Sequence, residues 1–295
     1  MKILITGGSG ILGQYLNMEL SSTHNILTLY NTNPGNCTLF PSAKLDIKDG
    51  NSLTNIFKEF NPDIVIHAAA ITKAVAADEL PAKLVYEINV NATKRIAQLC
   101  DMHGSKLIYF STDLVYGGYR GADLDENSKL VPISLYAETK LMGEVKIKEV
   151  FDNYIILRTG LLYGFGLNHS SCHFHYMYNA LRNGKSVNLF YDQYRSPLEL
   201  MDAATLIGKM VNVDVKNATI NFGGPGRLSR YELGGILCEK FGFDNNLLNK
   251  ISMYDSEIKY RVEDVSMNIN KMKSFGLIPQ SAGEAVARLS ELNDI

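Results

Sequence analysis

Cysteine is scarce and scattered. The four residues Cys37, Cys100, Cys172 and Cys238 fit neither a disulfide framework nor paired zinc ligands, which excludes a stapled secreted module. Net charge is nearly absent too: a formal −2 with no long basic run argues against a nucleic-acid or membrane surface as the main partner. No apolar window approaches a membrane span. The chain runs from Met1-Lys2 straight into a short apolar strand, without the apolar stretch and cleavage site of a signal peptide, so a cytoplasmic protein is expected. Repeats, low-complexity stretches and clear linkers are also missing. Cys172-His-Phe-His175, with His169 nearby, lacks a second ligand group; a loop or helix start lining a pocket is expected there rather than a metal site.

What is present is an alternation. Short apolar runs at Lys2–Thr6, Ile26–Tyr30, Ala43–Ile47, Asp63–Ala70, Leu107–Ser111 and Tyr154–Arg158 are separated by helical patterns, the first over Ile11–Leu20. Strands this uniformly apolar belong inside a parallel sheet covered on both faces. The expected fold is α/β, a doubly wound parallel sheet of Rossmann type with a smaller C-terminal α/β lobe for the substrate. Residues 1–162 should form the dinucleotide-binding domain, completed by part of 196–222, and 163–295 mainly the substrate lobe. Within that lobe a helix is expected near Tyr176–Asn183 and glycine turns at Gly223–Gly226.

Two motifs carry chemistry. Thr6-Gly7-Gly8-Ser9-Gly10-Ile11-Leu12-Gly13 follows the first strand and opens a helix, with its spacing readable as Gly7, Gly10, Gly13 or as Gly8, Gly10, Gly13. Glycine is needed where the turn is tight and where backbone meets a pyrophosphate, and the helix N-terminus then offers free N–H groups. At the end of the second strand, Tyr30-Asn31-Thr32-Asn33 has neither the acid that selects NAD nor the arginine that welcomes a 2′-phosphate. Nothing there repels the phosphate, so NADP or NAD is expected, with NADPH favoured. Asp46 is placed to touch the adenine or to cap a turn. The second motif is Tyr136-Ala-Glu-Thr-Lys140: on a helix, residues i and i+4 share a face, so phenol and ammonium converge, and a fixed cation favours the phenolate.

These motifs, with Pro62-Asp-Ile-Val-Ile-His-Ala-Ala69, Asn89-Val-Asn-Ala-Thr93, Ser111-Thr112 and Val115-Tyr-Gly117, resemble the extended short-chain dehydrogenase/reductases. Leu157-Arg-Thr159, Asp192-Gln-Tyr-Arg-Ser-Pro197, Gly223-Gly-Pro-Gly-Arg-Leu-Ser-Arg-Tyr-Glu232 and Arg261-Val-Glu-Asp-Val-Ser266 bring the chain nearest to the dTDP-4-dehydrorhamnose reductases. The resemblance implies an NAD(P)H-dependent reductase of a 4-keto nucleotide sugar. Tyr136 would donate the proton, Lys140 would hold the nicotinamide ribose and lower the tyrosine pKa, and Thr112 would bond the substrate oxygen. It further implies a cofactor along Gly7, Gly10, Ile11, Leu12, Gly13, Asn31, Asp46, Ile47, Ala68, Ala69, Ala70 and Asn89, reaching Tyr136 and Lys140. The substrate would lie against Thr72, Arg195 and Arg261, the two arginines meeting its diphosphate, and a homodimer is compatible with the family.

The chain departs from the nearest pattern at Ile11, where the family usually has Gln, and at Ala74-Val75, where it has Val-Asp. It departs again at Tyr116-Gly-Gly118 and at Ala137. These loops contact substrate, so the sugar stays open. Two other functions share much of the pattern: a nucleotide-sugar epimerase or dehydratase, and a regulatory subunit similar to the methionine adenosyltransferase β subunit, which binds NADP.

Overall fold

The computed structural model describes residues 1–72 and 74–293. Strand β1 (Lys2–Thr6) leads through the glycine turn into helix α1 (Ile11–Ser21), followed by β2 (Asn25–Tyr30), β3 (Ser42–Lys44), α2 (Gly50–Phe60) and β4 (Ile64–His67). Two short helices, α3 (Ala74–Glu79) and α4 (Ala82–Tyr86), run into a π-helical turn at Glu87–Asn91 and then α5 (Ala92–His103). Next come β5 (Lys106–Thr112), α6 (Leu135–Val150) and β6 (Tyr154–Thr159).

Beyond β6 the elements shorten: β7 (Leu162–Tyr163), α7 (His173–Arg182), β8 (Val187–Phe190), β9 (Tyr194–Arg195) and β10 (Leu198–Glu199). Helix α8 (Leu200–Met210) and β11 (Ala218–Phe222) return to the main body, before β12 (Leu228–Ser229), α9 (Arg230–Phe241), β13 (Leu248–Ile251), α10 (Asn270–Ser274) and α11 (Ala282–Asn293).

Seven parallel strands form one sheet in the order β11-β6-β5-β4-β1-β2-β3, so the order reverses at β1 and a crevice opens above the strand ends. Period-two alternation sends Ile3 and Ile5 to one face, against Leu16 and Leu206 of α1 and α8, and Leu4 to the other, against Phe57, Ile96 and Ile147 of α2, α5 and α6. Phe174, Met177, Leu189, Leu237 and Val286 build a separate core for the C-terminal lobe.

Three boundaries differ from the sequence expectation. The third strand stops at Lys44 and the fourth at His67, which frees Leu45–Ile47 and Ala68–Ala70 from the sheet to line the crevice. Helix α7 begins at His173 rather than near Tyr176, so His173 and His175 point apart, and His175 Nδ1 accepts the Gly166 N–H at 3.1 Å.

Candidate active site

A cleft of about 830 Å³ runs across the carboxyl ends of the strands. At one end lies the glycine turn, with Gly7, Gly10, Ile11, Leu12 and Gly13 on its wall. Gly7 has φ +71°, and a Cβ there would lie 2.6 Å from the Ala69 nitrogen; one on Gly13 would lie 2.2 Å from the Gly7 carbonyl oxygen. Gly10 caps α1 without a side-chain bond, and the first turn of α1 carries no acid, so the backbone N–H groups there are available to a phosphate. Gly8 has a different task, since a Cβ there would run into the Thr28 hydroxyl of β2 at 1.7 Å.

Asn31, Asp46 and Ile47 line the wall beyond the ends of β2 and β3; Asp46 accepts the Lys48 N–H at 3.0 Å and pairs with the Lys48 ammonium at 3.3 Å. Ala68, Ala69, Ala70 and Thr72 continue the wall toward Thr112, Tyr136, Lys140 and Arg195. These residues suit a bound dinucleotide: a cradle closed to any Cβ, an uncapped helix end, and no acid at the end of β2 to oppose a 2′-phosphate.

Two expected site residues lie elsewhere. Arg261 is exposed and outside the cleft, its guanidinium carbon 5.8 Å from the Tyr254 ring centre, because the loop from 256 turns its side chain outward. Asn89 is buried in the π-helical turn and does not line the cleft either; its Oδ1 accepts the Ile71 N–H at 2.9 Å and its Nδ2 donates to the Ile71 carbonyl at 3.2 Å. It does not cap the helix start; its side chain braces the loop that carries Ala70 and Thr72.

The helix bearing Tyr136 starts where Ser134 accepts the Ala137 N–H, and both Tyr136 and Lys140 are buried. Burial pushes the Tyr136 phenol up to about 12, while the nearby Thr112 hydroxyl pulls the other way and the Asp113 charge adds to the rise. Burial likewise lowers Lys140 to about 7, against the raising effect of Glu144, and its ammonium stands 4.1 Å from the Tyr109 ring centre. The expected lowering of the tyrosine by Lys140 is therefore not what the protein alone provides. Desolvation dominates both groups and favours their neutral forms.

Arg195 lines the cleft as expected, but its pairing with Asp113 was not foreseen, and His67, Gln14, Arg230, Cys172 and His173 escaped the sequence reading as site residues. Arg195 grips Asp113 with Nε at 2.6 Å and with Nη2, fixing the strand end next to Thr112. His67 is fully buried with its pKa lowered to about 3 by burial and then by Lys140. Thr93 donates to the Asn89 carbonyl, so its oxygen takes the His67 Nε2–H at 2.9 Å; Nδ1 accepts from Thr6 at 2.7 Å, and Thr6 in turn accepts the Ala69 N–H. Gln14, one residue past the last motif glycine, donates to the Leu167 carbonyl and Ser170 Oγ at 3.0 Å and accepts from Asn168 and the Asn36 N–H, tying α1 to loops on both sides. Arg230, Cys172 and His173 line the cleft opposite. A signal for Arg230 was available: Ser229 and Glu232 have the spacing of a capping box, which the structure forms, and Arg230 is the first residue of the helix it starts.

A family model described as the RmlD substrate binding domain matches residues 1–292. The chain belongs to this family. Similar proteins include a probable low-salt glycan biosynthesis reductase of Haloferax volcanii, 26% identical over 258 residues, 86% of this chain and 85% of the relative. The methionine adenosyltransferase 2 subunit beta of Pongo abelii is 25% identical over 293 residues, 94% of this chain and 83% of the relative. Among solved structures, the dTDP-4-dehydrorhamnose reductase of Bacillus anthracis in complex with NADP matches with a TM-score of 0.85 at 26% identity, over 98% of each chain.

Proposed function

We propose that the chain is an NAD(P)H-dependent reductase of a 4-keto nucleotide sugar, acting in the cytoplasm, with Tyr136 as the proton donor. The observation that carries this reading is a buried, neutral Tyr136 phenol beside Thr112 and Lys140, in the same cleft as the glycine cradle.

A bound NAD(P)H supplies the hydride. The protein's task is then to hold the ketone and deliver a proton to its oxygen. A phenol held near 12 stays protonated at neutral pH, the form a reduction requires at the start. Thr112 bonds the substrate oxygen in line with Tyr136. When Tyr136 gives up its proton, the Lys140 ammonium stabilises the phenolate and, with a pKa near 7, can return a proton to it. Thr72 and Arg195 border the sugar, and Asn89 and His67 hold the backbone beside the nicotinamide side.

A dehydratase needs a free acid beside the catalytic Thr. Asp113 occupies that position but is engaged by Arg195, and Leu114 follows it, which favours reduction. The regulatory reading has its own support in the similarity to the methionine adenosyltransferase subunit; the trio is compatible with both readings, and turnover separates them.

Purified protein should oxidise NADPH or NADH, read by absorbance, when given dTDP-4-dehydrorhamnose or a related keto nucleotide sugar. Tyr136→Phe should lower kcat by roughly 10²–10⁴-fold with cofactor affinity kept. Failure with every keto nucleotide sugar, together with co-purification of a synthetase, would replace catalysis by the regulatory reading.

A further inference from the structure

Glu144 lies one helical turn beyond Lys140 on α6, and residues four apart share a face, with Cβ atoms about 5–6 Å apart. Its side chain is only 1% exposed, and it is clamped. Arg158 of β6, 3% exposed, forks onto both carboxylate oxygens, Nε to Oε1 at 3.2 Å and Nη2 to Oε2 at 2.9 Å. Ser111, on the cleft wall next to Thr112, donates its hydroxyl to Oε1 at 2.5 Å. Arg158 Nη1 donates in turn to the Tyr116 hydroxyl at 3.0 Å and the Glu126 carbonyl at 2.9 Å, which fixes the guanidinium as well.

A buried ion pair adds little net stability, because desolvation of both charges offsets their attraction, and apolar side chains of like volume often serve a fold as well. One retained against an active site points to a task there. The surroundings of Lys140 supply the task. Its ammonium faces the Tyr109 ring of β5 and lies near His67 of β4. Burial raises Tyr109 well above its ordinary value and lowers His67 to about 3, so both are neutral at pH 7. Tyr136, on the same helix, is neutral too, as is Tyr116 beside Arg158, both raised to about 12 mainly by burial. Around the carboxylate itself the other charges are Arg158 and the exposed Lys148, both cationic. Glu144 is thus the acid whose charge favours the Lys140 ammonium against burial.

We propose that Glu144 is a positioning residue of the reduction: it is the buried counter-charge of Lys140, held by Arg158 and Ser111, and it acts through that ammonium rather than on the substrate. The charged lysine is the form that steadies a phenolate, so Glu144 sets the pH up to which the reaction runs. The role rests on the reductase reading of Tyr136 and Lys140.

The test reads Lys140 directly. In cofactor-free protein carrying isotope-labelled lysine, NMR follows the titration midpoint of the Lys140 ε-carbon, whose signal is assigned by its loss in Lys140→Met. Glu144→Gln should lower that midpoint by about one pH unit or more, and Glu144→Asp, which keeps the charge, should restore most of it. Glu144→Gln also strands the Arg158 guanidinium and weakens the fold. Combining it with Arg158→Met removes both charges, spares the fold and should still lower the midpoint, because of the two charges Glu144 is the one that bears on Lys140. With a keto nucleotide sugar that wild type reduces, the alkaline limb of kcat should move down in the same variants. An unchanged midpoint in Glu144→Gln and in the double variant, with only the denaturation curve altered, makes the ion pair a structural one and sinks the proposal. A midpoint that moves while the kcat limb stays put sinks it equally. A midpoint that moves in a protein reducing no keto nucleotide sugar supports the pairing and overturns the reductase reading instead.

Discussion

Asn89 brackets Ile71 from both sides, accepting its N–H at 2.9 Å and donating to its carbonyl at 3.2 Å, with a third bond from Nδ2 to Thr139 at 3.1 Å. One buried amide thus fixes the loop between β4 and α3 against the helix that carries Tyr136 and Lys140. π-Helical turns concentrate at functional sites, and here the turn at Glu87–Asn91 sets the amide against that loop.

Replacing Asn89 by Ala leaves the Ile71 N–H and carbonyl without their partner in a mostly buried setting. A stability loss of about 1–3 kcal/mol is expected, read from the urea midpoint. The KM for keto sugar should rise by about tenfold, because Thr72 is carried on the loosened loop. Unchanged KM with lowered stability would restrict Asn89 to a folding role.

Lys140 makes stability depend on pH in a definite direction. Its folded pKa is lowered to about 7 from the ordinary 10.5, so between those values the unfolded chain holds a proton that the folded chain does not. Stability from this group therefore rises with pH through the window, at a limiting slope of about 1.4 kcal/mol per pH unit. Tyr136, raised above its ordinary 10 to about 12, lies outside it and acts with the opposite sign at higher pH. Urea unfolding of the cofactor-free protein at several pH values between 7 and 9, compared with Lys140→Met, should show the wild type gaining on the variant as pH rises. A constant difference would place the Lys140 pKa near its ordinary value.

Gln14 is fully buried and serves three segments, so Gln14→Leu removes the acceptor of the Asn36 N–H and of the Asn168 amide, while the Leu167 carbonyl keeps its bonds from Ser170. A loss on the order of 2–4 kcal/mol is expected in chemical denaturation. Bound NADPH should offset part of it by mass action.

The end of β2 is open to a test of cofactor choice. Asn31 is exposed on the cleft wall, and Asn31→Asp sets a negative charge where a 2′-phosphate would lie. KM for NADPH should rise by about tenfold or more while KM for NADH changes little, since a new charge repulsion of about 1.4 kcal/mol already gives a factor of ten. Equal changes for both cofactors would mean that Asn31 is not beside the ribose.

The glycine turn, the apolar strands and the helix of Tyr136 were legible in the sequence because each is dictated within a few residues of itself. Ile3, Leu4 and Ile5 announce a strand covered on both faces, and Gly7 a turn that no side chain fits. Arg261 is exposed beside Tyr254 rather than on the cleft wall, because its motif fixes a backbone segment while the direction of its side chain depends on how the loop from 256 packs. Lys140 was expected to depress Tyr136, since spacing reveals proximity but not burial, and burial governs both groups. Gln14 and His67 were missed for a related reason: their partners lie 153 and 61 residues away in the chain.

Strands β6 and β11 are hydrogen-bonded neighbours although residues 160–217 intervene. That excursion carries Cys172, His173 and Arg195, whereas Tyr136 and Lys140 precede it. Part of the cleft wall, with Cys172, His173 and Arg195, is thus a cassette spliced between two fixed anchors of the sheet. Substitutions and length changes within it can reshape that wall while Tyr136 and Lys140, fixed on the sheet side, keep their register, so the two parts of the cleft are free to drift at different rates.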